Sequence, residues 1–186
     1  SLDGLTQTSA GDGNTALGNT ALDSLTALSG LRNTAVGADA GTAVTTGDDN
    51  VLIGYQAGDA LTIESRNIAI GTDALGGATN TASDNIAIGY QAGDVLTTGN
   101  QNVLIGRDAG GSLISNGSNV AVGYQALATL GSNGGNVAIG WRALNLATSA
   151  DNVAVGTGAL DALSSGTRHV GVGQTALSSI TTANDS

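Results

Sequence analysis

The 186-residue sequence predicts an all-β fold, a parallel β-roll or β-solenoid of about ten coils of 16 to 19 residues each. The first observation is a short phrase, NVLIGYQAG at residues 50–58, whose skeleton occurs ten times. The second is a composition poor in bulky apolar residues, and the third is the side-chain alternation within each short apolar run. Small residues in register at a short fixed period are typical of a solenoid, in which each repeat is one coil stacked on the last.

Each repeat begins at an asparagine, which histidine replaces once, in the tenth repeat. A glycine always stands four residues later, an alanine always follows three residues after the glycine, and an aliphatic residue or alanine stands seven after the glycine. The asparagine column consists of Asn14, Asn33, Asn50, Asn67, Asn85, Asn102, Asn119, Asn136, Asn152 and His169. We number the coils 1 to 10 from these residues.

The composition favours strands and turns over helices. Thirty glycines, no proline, no phenylalanine and one tryptophan leave too little bulky apolar surface for an ordinary globular core. The apolar runs are short, β-branched and broken by glycine, without helical spacing. Each coil is therefore predicted to have a short strand such as Val51 to Ile53, a glycine turn, a second short extended segment around Ala57 to Leu61, and a polar return loop.

Alternation within the strand predicts self-association. Successive strand residues point to opposite faces, so Val51 and Ile53 share one face and Leu52 takes the other. Neither face is polar, and one coil is expected to bury only one of them, so the face of small residues should be covered by other copies of the chain. A mild alanine surface exposed to solvent is the alternative. The predicted contact residues are Ala35, Leu52, Ala69, Ala87, Leu104, Ala121, Ala138 and Ala154.

The repeated asparagines and glycines have structural explanations. Stacked asparagines can form an amide ladder along the coils, and a ligand site is the alternative. The glycine after the strand is expected to supply a positive φ or room for a corner. His169 is expected to substitute in the ladder, because a lone imidazole without cysteine or a second histidine makes a poor metal or catalytic site.

A second period of two coils underlies the first. After the turn glycine, coils 3, 5 and 7 carry Tyr-Gln pairs and coils 2, 4 and 6 carry an aspartate as the second residue, which keeps these aspartates about 9.6 Å apart and reduces their repulsion. Arg107 then falls between two tyrosines, where a cation–π sandwich is expected. This column could contact a ligand, although aromatic residues also pack turns. Its members are Tyr55, Tyr90, Arg107, Tyr124 and Trp141.

Charge and residue types limit the function classes. A formal net charge of -10, with five Arg and Lys in total, argues against binding nucleic acid or an anionic membrane. No phosphate loop, zinc spacing or catalytic constellation can be assembled, so no enzyme activity, cofactor or metal is expected. An ice-binding or hydrolytic solenoid is a weaker alternative, because threonines and acids do not form regular arrays in the sequence.

The repeats resemble a known family. NVAIG at 136–140, with NIAIG and NTAVG elsewhere, is similar to the head repeats of trimeric autotransporter adhesins. NVAVGYQAL at 119–127 also resembles repeats of bacteriophage tail fibres and related surface fibres. The resemblance implies a left-handed parallel β-roll assembled as a homotrimer, with coils here longer than the adhesin repeat.

Together these features predict one domain over 1–186, with complete repeats at about 14–180, that forms part of a longer fibre protein. The expected function is that of a rigid surface-fibre segment for attachment or host recognition, extracellular on a bacterial cell or on a phage tail. Its expected partners are copies of itself and a host receptor, matrix protein or glycan, the last bound through the aromatic column. No direct membrane contact is expected.

Overall fold

The fold is a parallel β-solenoid of about nine turns, and a computed structural model describes residues 13–25, 29–77, 81–115, 117–129 and 134–182. Each coil contributes one strand of three residues, and the predicted strand at Val51–Ile53 is confirmed. The described ranges contain no helix, and therefore none that could cross a membrane. The strands are β1 Thr15–Leu17, β2 Thr34–Val36, β3 Val51–Ile53, β4 Ile68–Ile70, β5 Ile86–Ile88, β6 Val103–Ile105, β7 Val120–Val122, β8 Val137–Ile139, β9 Val153–Val155 and β10 Val170–Val172.

The ten strands form one sheet in sequence order, and every neighbouring pair is parallel and in register. In β3 and β4, for example, Leu52 pairs with Ala69 and Ile53 pairs with Ile70. Because each strand meets its equivalent in the next coil, every position of the repeat becomes a column along the solenoid.

The segment after each strand is a run of turns, so the predicted second extended segment is wrong. In coil 3 the Ala57 amide donates to the Gly54 carbonyl at 3.4 Å, and the Leu61 amide donates to the Gly58 carbonyl at 3.1 Å. Gln56 has a φ of 54°, as expected of a left-handed residue within successive tight turns. These turns also stack, since the Gln56 amide donates to the carbonyl of Ala38 in the coil before.

The glycine that ends each strand meets both predicted requirements. Gly89 has a φ of +136°, and a β-carbon placed on it would lie 2.5 Å from the carbonyl oxygen of Gly106. Consecutive coils therefore touch backbone to backbone at this corner, which leaves no space for any side chain.

The core is a narrow column of alanine and leucine, fully buried inside the coils. The aliphatic residue seven positions after the glycine belongs to it where it is described: Leu61, Leu96 and Leu163 are buried, and Leu25 and Ile180 pack against the same cluster. Ala78 and Leu130, which complete that column in coils 4 and 7, lie outside the described residues.

Candidate functional site

The two faces of the sheet are the reverse of the sequence prediction. The central residue of each strand, predicted to contact another chain, points into the solenoid and is inaccessible to a partner. Most coils carry alanine at this level, and coils 3 and 6 carry leucine, packed against glycines that leave room for it. The corrected residues, all with 0% exposure within the single chain, are Ala35, Leu52, Ala69, Ala87, Leu104, Ala121, Ala138 and Ala154.

The outward face of the sheet instead carries the first and third residue of each strand, which we call the outer strip. From β3 to β10 these are all valine or isoleucine, and they are half-buried or exposed; Ile53 is 37% exposed and Ile139 is 39% exposed. No strand contains an acidic or basic residue, so the strip carries no charge on a chain with a net charge of -10.

The predicted asparagine ladder is present and buried. The backbone N–H of each member donates to Oδ1 of the member before it, as from Asn119 to Asn102 at 3.0 Å. In most coils the side-chain amide adds a second bond to the same oxygen, at 3.1 Å for this pair. The ladder therefore joins backbone and side chain of adjacent coils.

The asparagine amide also closes its own coil. Nδ2 of Asn50 donates to the carbonyl of Glu64 at 2.9 Å, and Nδ2 of Asn67 donates to the carbonyl of Ala82 at 3.0 Å. Each of these carbonyls lies 14 or 15 residues further on, where the same coil ends. These bonds use the asparagine amides within the protein, as the structural explanation of the column predicts.

His169 takes the tenth place in the ladder as predicted. Its backbone N–H donates to Oδ1 of Asn152 at 3.0 Å, and its Nδ1 lies 3.0 Å from the carbonyl oxygen of Thr167. That distance assigns the proton to Nδ1. Nε2 is buried and has no hydrogen-bond partner within the described part of the chain.

The aromatic column exists on the outer surface, beside the outer strip. Arg107 lies 5.3 Å from the ring centre of Tyr90 and 6.0 Å from that of Tyr124, which confirms the predicted sandwich. Tyr124 stacks on Trp141 with ring centres 6.5 Å apart and planes inclined by 15°. Tyr55 is also exposed but stands two coils before Tyr90.

Sequence reasoning missed Arg142, which completes this column. Its guanidinium lies 5.2 Å from the ring centre of Trp141, and it leans toward coil 9, where Nη2 is 3.8 Å from Asp161. Arg107 therefore contacts Tyr90 and Tyr124, and Tyr124 in turn stacks on Trp141. These contacts join the turns of coils 5 to 8.

The aspartates approach one another more closely than the two-coil period predicts. Asp59 and Asp94 of odd coils lie close to Asp73 of coil 4. Burial and the neighbouring charge of Asp73 raise the pKa of both carboxyls above the ordinary range, and Asp94 adds to the effect at Asp59. The residues five positions after the glycine, where Asp59 and Asp94 stand, were not considered in the sequence prediction.

A second charged column borders the other edge of the outer strip, at the residue before each asparagine. Arg32 pairs with Asp49 at 2.6 Å, and Arg66 pairs with Asp84 at 2.5 Å. The guanidinium in each pair lowers the pKa of its aspartate. All four side chains are largely exposed, so the pairs contribute little to stability.

A polar groove of about 340 Å³ runs along coils 5 to 8, beside the aromatic column. Its floor contains Gly111 and Ala128, the small residues five positions after the glycine in coils 6 and 7, and its ends are formed by Asp94 and Asn145. Gln91, Asp108, Ser112, Gln125 and Thr129 complete the lining. The groove could not be predicted from the repeat pattern, because it depends on differences between coils at one position of the repeat.

The described residues contain no group of three or more His, Cys, Asp or Glu side chains arranged to hold a metal ion. The solenoid of ten in-register parallel strands is compatible with a β-roll repeat. Comparisons of the chain with protein-family models, with curated proteins and with solved structures gave no match.

Proposed function

We propose that this chain is a rigid segment of a homotrimeric extracellular surface fibre, serving attachment or host recognition on a bacterial cell or a phage tail. The observation that supports the proposal is the outer strip, an uncharged β-branched surface on one side of a straight stack of coils. The homotrimer rests on the resemblance of the repeats to adhesin heads and tail-fibre repeats. The same resemblance suggests the two possible locations, a bacterial cell surface and a phage tail.

The size of the outer strip supports self-association. Ten strands make nine steps of about 4.8 Å, so the strip is about 43 Å long. With two columns of side chains its area is on the order of 400 Å², and apolar patches of that size often mark interaction sites. A second copy is the simplest partner because its strip has the same spacing, length and lack of charge.

The columns of hydrogen bonds between coils should make the solenoid rigid. The strand ladder, the stacked turns and the asparagine ladder all hydrogen-bond one coil to the next, so adjacent coils cannot rotate or slide without breaking several bonds. Such a stack suits a spacer that holds a binding tip away from a surface.

Sedimentation equilibrium of the whole chain at micromolar concentration tests the assembly. The wild type should sediment as a trimer, and Ile88→Glu, which places a charge in the middle of the strip, should weaken association roughly a hundredfold at a cost of about 3 kcal/mol. Ile114→Glu is the matched control, because Ile114 is an exposed isoleucine in a loop away from the strip.

Circular dichroism should show the same folded spectrum for all three proteins. A well-folded wild-type monomer would overturn the homotrimer. Unchanged association of Ile88→Glu would mean that another surface makes the contact.

A further inference from the structure

The groove on coils 5 to 8 results from the residues at one position of the repeat, five after the turn glycine, where the side-chain size differs between coils. Coils 5 and 8 carry Asp94 and Asn145 there, whereas coils 6 and 7 carry Gly111 and Ala128. Because Gly111 and Ala128 are small, they leave the groove open between Asp94 and Asn145. It spans three coil steps, about 14 Å between these end residues. Its volume of about 340 Å³ is at the lower end of small-molecule sites.

The groove offers hydrogen-bonding groups that the protein itself does not use. Within the described part of the chain, the side-chain amides of Gln91 and Gln125 have no protein hydrogen-bond partner, and neither has the hydroxyl of Ser112. Amide and hydroxyl groups both donate and accept, and the carboxylates of Asp94 and Asp108 accept. A ligand rich in hydroxyl groups would match this set.

The charges in the groove determine which hydroxyl-rich ligands fit. Its lining includes two carboxylates and no lysine or arginine. The nearby Arg107 is held between two tyrosine rings and by Asp108 at 3.3 Å. Arg107 therefore balances Asp108 but leaves the charge of Asp94 unbalanced, and an anionic ligand would be repelled at that end of the groove.

We propose that this groove binds a neutral saccharide unit of one or two sugar rings, held mainly by hydrogen bonds to Gln91, Gln125 and the two carboxylates. Tyr124, the ring next to Gln125, already contacts Arg107 and Trp141, so stacking of a sugar on this ring is a minor part of recognition. All the lining residues belong to one chain, so the groove is complete without a second copy. Single-site affinity is weak, and repeated sites raise it through multivalency.

The test is binding of the fluorescently labelled whole chain to a printed array of neutral and acidic glycans. Ala128→Phe fills the groove from its floor, and Ala60→Phe is the matched control, because Ala60 is a half-buried alanine in the turns of coil 3. Gln125→Ala is a second groove variant, which removes one amide and leaves the floor unchanged. Circular dichroism establishes that each variant is folded.

Wild type and Ala60→Phe should bind a set of neutral glycans, and both groove variants should lose at least tenfold in signal on that set. Asp94→Asn should reduce the discrimination against acidic glycans that carry the same neutral core. Binding to no neutral glycan, or equal binding by folded Ala128→Phe and Gln125→Ala, would overturn the proposal. Sedimentation of the same samples separates this result from a failure of the homotrimer.

Discussion

Leu52 and Gly58 share one volume inside coil 3: a β-carbon placed on Gly58 would lie 2.6 Å from Cδ2 of Leu52. Most coils have alanine at the centre of the strand, and several of these, such as coil 4 with Ala69 and Leu75, carry leucine at the later position. Coils 3 and 6 instead carry leucine in the strand and glycine later. No coil carries leucine at both positions, and in coils 2 and 5, which have alanine and glycine, the space beside Gly41 and Gly93 is filled by Leu52 and Leu104 of the next coil. The interior therefore has room for at most one large side chain per coil at this level.

Exchanging Leu52 and Gly58 tests whether these two positions share the same interior space. Leu52→Ala should cost about 2–5 kcal/mol through the cavity that it leaves, and Gly58→Leu should cost about 1–3 kcal/mol through overpacking. The double variant should be more stable than the sum of these losses predicts, because it recreates the arrangement of coil 4. Chemical denaturation of the four proteins measures the coupling, and strict additivity would show that the two sites do not share space.

The asparagine ladder should tolerate no apolar replacement. Asn102→Leu removes the oxygen that accepts the backbone N–H of Asn119 and leaves buried polar groups without partners, at about 1–3 kcal/mol each. The melting temperature should fall by several degrees. Gln101→Leu, an exposed neighbour outside the ladder, is the control and should change it little. Equal melting temperatures for both variants would mean that the ladder bonds are replaced by water.

Substitutions at two glycines distinguish the effect of close backbone contact on stability from the effect of backbone conformation. Gly89→Ala should abolish cooperative folding or lower the melting temperature sharply, because its β-carbon would lie 2.5 Å from the Gly106 oxygen. Gly158→Ala should cost only about 1–2 kcal/mol, because Gly158 has a φ of +62° and its nearest contact would be 3.7 Å away. Thermal melts compare the two variants. Similar losses would indicate that conformation alone explains the glycine column.

Asp94 and Asp84 should make the stability of the folded chain depend on pH in opposite directions. Burial and Asp73 raise the pKa of Asp94 in the folded chain, so this group's contribution to stability is present below its unfolded pKa and is lost as pH rises through the folded pKa. Asp94→Asn removes the charge and should raise the melting temperature at pH 7, and the difference from wild type should disappear below about pH 4.

Asp84 is the matched control. Its salt bridge with Arg66 lowers its pKa, so its contribution is present above the unfolded pKa and is lost as pH falls through the folded pKa. Asp84→Asn should therefore leave the melting temperature at pH 7 unchanged or slightly lower. A rise for Asp84→Asn equal to that for Asp94→Asn would mean that overall net charge, and not the neighbourhood of Asp73, causes the effect.

The solenoid, its ten strands, the asparagine ladder and the Arg107 sandwich could all be predicted from the sequence, because in-register stacking turns a repeat position directly into a spatial column. Which face of the strand points into the solenoid could not be predicted from the sequence. Alternation defines two faces but does not say which is inside, and larger residues such as Ile53 were assigned to the interior. The coil is narrow, so its interior takes Ala35 and Ala69, and the larger β-branched side chains point outward.

The candidate groove depends on differences between coils, which the repeat pattern hides. Gly111 and Ala128 are unremarkable in the sequence, and the notch appears only when they stack between Asp94 and Asn145. Arg142 was missed for a related reason: it replaces the glutamine or aspartate of other coils, and its contact with Trp141 depends on the turn geometry.

The hydrogen bonds of every column run along the solenoid axis, and this direction determines how the chain responds to mechanical tension. A pull along the axis loads the strand ladder and the asparagine ladder in the direction of their bonds, and a coil at the end of the stack, which is bonded to a neighbour on one side only, should open first. Each coil that peels away releases about 17 residues, or at most about 60 Å of extended chain. A fibre containing this segment would therefore extend in steps of one coil under load, and each step would dissipate energy before the tip detaches.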